Sequence, residues 1–180
     1  MKHKNELNIC LRIVHESEFE RFKSDVQSAF KIGAEKEFGH TLDEPIPSDA
    51  DIEESLLAHG AIAYWIVADG EIVGGAVVVI DEATQRNSLS FFFVSIKEQS
   101  RGIGLFAWKA IEEAHPSTKV WETATPYFEK RNIHFYVNKC GFKIVAFYTK
   151  FNPDPHHHTS AFPEDEEDDE MFRFEKVMRE

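Results

Sequence analysis

Phe91-Phe92-Phe93-Val94-Ser95-Ile96, followed two residues later by Gln99-Ser100-Arg101-Gly102-Ile103-Gly104-Leu105, is the stretch from which the fold can be read. The apolar run has the length and the aromatic, β-branched character of a buried strand. From Ile103 to Ala114 apolar residues recur at helical spacing, ending just before Pro116. The two glycines therefore stand where a strand turns into a helix. A helix N-terminus presents unpaired N–H groups and partial positive charge, and glycine lets a ligand approach that backbone closely. A phosphate or pyrophosphate is the natural occupant of such a seat.

The flanking sequence supplies the other elements. Strands are expected over 8–14, 61–68, 71–80, 89–96, 119–125, 142–151 and 171–178, and helices over 18–32, 51–59, 102–114 and 130–139. Ser17 with Glu20 reads as a capping box opening the first helix, and Phe19, Phe22, Val26, Ala29 and Phe30 share one face of it. Residues 35–51, polar and containing Pro45 and Pro47, read as loop. Asp69-Gly70 between two apolar runs is a hairpin signal. Gly141 caps the last helix. Antiparallel hairpins followed by a strand–helix–strand crossover predict one α/β (α+β) domain over 1–180. Its mixed, mostly antiparallel central sheet of about seven strands carries helices on both faces.

Composition narrows the function classes. The chain has 180 residues, 42% of them hydrophobic, enough for one sizeable core without cross-links. Its net charge of −12 is concentrated: eight of the 32 acidic residues, and no Lys or Arg, lie within 152–170. That segment reads as a mobile, solvated acidic loop joining two strands. No basic stripe suits nucleic acid, and no apolar run is long enough to span a bilayer. Two cysteines, Cys10 and Cys140, and no signal-peptide pattern point to a reduced, cytoplasmic setting. His156-His157-His158 lacks the spacing of a preformed metal site, so no metal is expected.

With these elements in order, the chain resembles the GNAT superfamily of N-acetyltransferases. The family's phosphate loop, Q/R-x-x-G-x-G/A, matches Gln99-Ser100-Arg101-Gly102-Ile103-Gly104. A second motif, an aromatic-rich helix ending in Gly-Phe, matches Asn132-Ile133-His134-Phe135-Tyr136-Val137-Asn138-Lys139-Cys140-Gly141-Phe142. The resemblance implies acetyl-CoA as acyl donor. The backbone of Phe92, Phe93 and Val94 would hold the pantetheine arm as an added strand does. The loop Gln99, Ser100, Arg101, Gly102, Ile103, Gly104 and Leu105 would hold the pyrophosphate, and Asn132 would touch the cofactor arm. A primary amine would attack the thioester directly in a ternary complex, in the splay between the fourth and fifth strands. A backbone N–H near Val94 would receive the oxyanion.

Two catalytic candidates follow from the resemblance. Tyr136 would protonate the leaving thiolate, and Glu122 would take the amine's proton through water. Many relatives carry the tyrosine four residues before the glycine, which here is Val137. At about 100° per residue Tyr136 points elsewhere, unless the helix end carries an extra residue. The plain readings stand beside these: Tyr136 as a packed aromatic, Glu122 as a solvent-facing strand residue, Asn132 as a helix cap. The competing function is a non-catalytic acyl-CoA-binding sensor or interaction module. The expected partners are acetyl-CoA and an amine acceptor, in a monomer or a homodimer.

Overall fold

Asp69 and Gly70 both carry positive φ, 50° and 88°, as the tight turn of a two-residue hairpin requires. They join β2 (Ala61–Ala68) to β3 (Glu71–Val79), and Ala68 pairs with Glu71. In the computed structural model, which describes residues 8–95, 97, 102–155 and 170–178, this hairpin is the middle of the first half of a seven-stranded sheet. β1 (Ile9–Ile13) lies beside β2, and β4 (Arg86–Val94), β5 (Val120–Pro126), β7 (Met171–Val177) and β6 (Lys143–Tyr148) follow beyond β3. Every pairing is antiparallel except β4 with β5, which is parallel.

Side-chain alternation sends successive residues to opposite faces. One face carries Ala63, Trp65, Val77 and Phe93, and receives Phe22 and Val26 of α1 (Phe19–Phe38) and Ile52 and Leu56 of α2 (Asp49–Leu57). Phe22 meets Trp65 and Phe93 edge-on, with ring centroids 5.1 and 5.5 Å apart. The other face carries Tyr64, Ala76, Val78, Leu89, Trp121 and Phe174 under α3 (Ile103–Ala114) and under a helix that begins as α4 (Lys130–His134). At Gly75 a Cβ would stand 2.6 Å from the Phe22 ring and 2.7 Å from that of Phe93. The bare backbone of β3 is what allows that aromatic pair to settle on the sheet.

The sheet and the helices on both faces are as expected; several boundaries differ, each for a physical reason. The first helix runs on to Phe38 and stops at Gly39, in the left-handed conformation (φ 74°), whose N–H donates to the Glu35 carbonyl at 3.0 Å. Its start is not built on Ser17 and Glu20. A single 3-10 turn, Glu16–Glu18, comes first, and the Glu18 carboxylate accepts the His15 N–H at 3.1 Å and both guanidinium nitrogens of Arg12. The second helix begins at Asp49 behind a Ser48–Asp51 capping box. β4 begins three residues before Leu89, because Asn87 is buried with partners: its amide donates to Thr118 Oγ1 at 2.7 Å and accepts the Asp81 N–H at 2.9 Å. The His156–His158 run and most of the acidic loop lie outside the described residues.

Candidate active site

β4 and β5 run side by side only from Arg86 to Leu89 and from Val120 to Thr123. Beyond Leu89, β4 continues beside β3 as far as Val94, and β5 continues beside β7 as far as Pro126. Two neighbouring parallel strands thus part company and leave a V-shaped gap. A bulge marks the point of divergence: Leu89 pairs with Val78 and Phe91 with Val77, so Ser90 is the extra residue of β4. Thr123, the last residue of β5 opposite β4, sends its hydroxyl to the Leu89 carbonyl at 2.9 Å. That bond closes the base of the gap.

Helices converge on its open end. α3 starts behind Gly102, which is left-handed (φ 73°); a Cβ there would be strained. Gly104 is needed for a different reason. A Cβ on it would stand 3.3 Å from the Phe135 ring and 3.8 Å from that of Phe92, and these two rings stack at 5.6 Å with planes 17° apart. Ile103 is fully buried, so only its backbone faces outward. The Leu105 N–H donates to the Gly102 carbonyl at 3.2 Å, which leaves Ile103 and Gly104 as the helix-start donors a ligand would use. Gln99, Ser100 and Arg101 lie outside the described residues.

The helix after Pro126 resolves the register of Tyr136. From Phe135 to Cys140 the chain is π-helical, and the Gly141 N–H donates to the Tyr136 carbonyl five residues back. A π turn holds one residue more than an α turn, and such turns recur at functional sites. The extra residue brings Tyr136 inward although it stands five positions before the glycine. It is 6% exposed, with its ring against Phe135, Phe142 and Phe174 and its hydroxyl hydrogen-bonded with Thr123. Burial raises its pKa well above that of a free tyrosine, so the hydroxyl carries its proton at neutral pH.

Sequence and structure were then compared with known proteins. Residues 25–142 match the Acetyltransferase (GNAT) family. The uncharacterized protein YrkN of Bacillus subtilis strain 168 is 51% identical over 182 residues, covering 99% of this chain and 98% of that one. The chain belongs to the GNAT family. A GNAT fold is also what solved structures share with it. A Bacillus subtilis acetyltransferase in complex with CoA superposes with a TM-score of 0.64 at 21% identity, covering 97% of this chain and 100% of that one. A GNAT acetyltransferase from Elizabethkingia anophelis with acetyl-CoA bound gives 0.66 at 18%, covering 95% and 99%. The Escherichia coli ribosomal-protein-S18-alanine N-acetyltransferase gives 0.68 at 9%, covering 95% and 94%.

Against this GNAT frame the expected site residues divide. Phe92, Phe93 and Val94 lie on the part of β4 that has left β5, while Gly102, Ile103, Gly104 and Leu105 form the start of α3. Tyr136 reaches the base of the gap through Thr123. Asn132 sits inside the first turn of α4, whose N-cap is Glu129, so it is not the cap. Glu122 is placed below the gap, opposite Ser88. Its Oε1 accepts Arg86 Nε at 2.9 Å, its Oε2 accepts Arg173 Nη2 at 2.8 Å, and Arg86 also reaches Glu175 at 2.8 Å. Both oxygens are held by guanidinium groups, and the expected role in taking the amine's proton finds no support in this geometry. Ser90, Thr123 and the Phe92–Phe135 stack were not singled out from sequence. A threonine in an alternating strand and a phenylalanine on an apolar helix face carry no signal of their own.

Proposed function

We propose that this GNAT protein transfers the acetyl group of acetyl-CoA to a primary amine by direct attack in a ternary complex. The observation that carries the reading is the gap between β4 and β5, opening at Leu89 and Thr123 toward the glycine-led start of α3. Beyond Leu89 the β5 side of β4 has no strand beside it, so its backbone offers the ladder positions that an extended pantetheine arm can use. The N–H groups of Ile103 and Gly104 face the pyrophosphate, with Gln99, Ser100 and Arg101 completing the loop by sequence. Asn132, in the first turn of α4, is proposed to contact the arm. The CoA and acetyl-CoA complexes of the solved relatives support the same donor.

The chemistry is a simple acyl transfer. The neutral amine's lone pair attacks the thioester carbonyl carbon, the C–N bond forms, and the C–S bond breaks with its electron pair on sulfur. The oxyanion is met by backbone N–H groups of β4 where the bulge at Ser90 frees them from regular pairing, nearer the base of the gap than Val94. Tyr136 gives its proton to the departing thiolate and is reloaded by the proton the amine sheds. Positioning both reactants in one gap supplies much of the acceleration. The test is release of free thiol from acetyl-CoA with a panel of primary amines, read together with the mass of an acetylated amine. Matching thiol and product support the reading; tight CoA binding with no turnover on any amine would contradict it.

One observation favours a second reading. Tyr136 is packed among Phe135, Phe142 and Phe174 and hydrogen-bonded with Thr123, as a purely structural tyrosine would be. In a non-catalytic acyl-CoA sensor the same residues would bind the cofactor without transferring the acyl group, and the amine panel separates the two.

A further inference from the structure

We infer that Glu129 is the acceptor-side carboxylate of this site, and that it selects a cationic amine with an apolar or aromatic body. The inference rests on the transferase reading above and adds the acceptor's chemistry to it.

α1 runs toward the same end of the sheet as β4 and β5, and its last turns meet the segment joining β5 to α4. The Phe38 ring packs edge-on against that of Phe128, with centroids 5.2 Å apart. One residue further on, Glu129 is the N-cap of α4, yet its side chain makes no capping bond. It crosses instead to α1 at Gly33, where an added Cβ would stand 3.0 Å from Oε1. The carboxylate therefore lies over helix backbone at a position left without a side chain. Its charge is also felt at Tyr136, whose pKa it helps to raise, so it stands within electrostatic range of the hydroxyl at the base of the gap. Lys130, the next residue, is turned aside, with Nζ donating to the Tyr127 carbonyl at 2.7 Å.

A half-buried carboxylate beside two aromatic rings suits an ammonium carried on an apolar body. The ammonium meets the charge, and the rings take the hydrocarbon. Glu122 offers no such place, because arginines hold both its oxygens.

The experiment is calorimetric titration of phenethylamine into the full-length protein saturated with CoA, with 2-phenylethanol as the uncharged control. The expected result is binding of the amine at least about tenfold tighter than the alcohol, the scale of a charge-assisted hydrogen bond. Glu129→Gln should abolish that preference. Gly33→Ala should weaken amine binding by displacing the carboxylate, while the melting temperature holds or rises, because alanine suits a helix interior better than glycine. Equal affinity for amine and alcohol, unchanged binding in Glu129→Gln, or no amine binding by wild type would overturn the inference. A CoA-induced melting shift measured on the same samples shows whether the cofactor reading still stands in that event. Its absence in wild type would overturn both.

Discussion

Two glycines two residues apart in one motif meet different physical demands. Gly102 serves its backbone angle, and Gly104 makes room for Phe135. Gly102→Ala should lower stability by about 1–2 kcal/mol, the cost of a left-handed alanine, read from the denaturant midpoint. Tyr136 makes the sharper functional prediction. Tyr136→Phe should lower kcat roughly 100-fold or more and leave the cofactor-induced melting shift in place. An unchanged kcat would remove it from the chemistry. Because burial raises its pKa, it stays protonated through neutral and mildly alkaline pH. The rate should therefore climb with pH as the acceptor amine loses its proton, with no fall from Tyr136 in that range. Glu18 behaves in the opposite sense: the hydrogen bonds from Arg12 and from the His15 N–H hold its pKa down at about 2. Its contribution is present above the unfolded carboxylate pKa and is lost as pH falls toward 2. Glu18→Gln should flatten acid unfolding in that window.

At the scale of elements, the helix before Gly141 shows where sequence spacing stops being a guide. The family register and the 3.6-residue period both put Val137, not Tyr136, in the functional position. The π turn from Phe135 to Cys140 absorbs one residue and returns Tyr136 to it. Nothing in the residues themselves announces a π turn; only the burial of Tyr136 and Cys140 on the same side reveals it. Deleting Val137 should convert the turn to α-helix and leave Tyr136 facing Thr123. Such a variant should fold and keep its cofactor-induced melting shift; loss of the fold or of the shift would contradict this account of the extra residue. The Asp69-Gly70 hairpin, by contrast, was legible to the residue, because its turn has a chemical signature. The start of β4 was hidden because Asn87 is a buried polar residue whose partners, Asp81 and Thr118, are distant in sequence.

On the scale of the whole molecule, the seven strands and the helices on both faces follow from periodicity and turn chemistry that are local in sequence. What sequence could not supply is contact across the sheet: Arg86 and Arg173 closing on Glu122, and Thr123 pinning Leu89. These join residues between 34 and 51 positions apart, and no local pattern encodes them. For the same reason the cofactor side of the site, a strand and the helix that follows it, was readable, while the acceptor side, assembled from α1 and the β5–α4 segment, was not.

The central claim is that the gap between β4 and β5, with the start of α3, holds acetyl-CoA. A thermal melt with acetyl-CoA, CoA and ATP in parallel tests it most directly. A ligand at 100 times its dissociation constant stabilises a fold by about 2.7 kcal/mol. The account predicts a shift of that order with acetyl-CoA and with CoA and none with ATP. No shift with either CoA species would contradict it and leave the glycine pair as an ordinary turn into a helix.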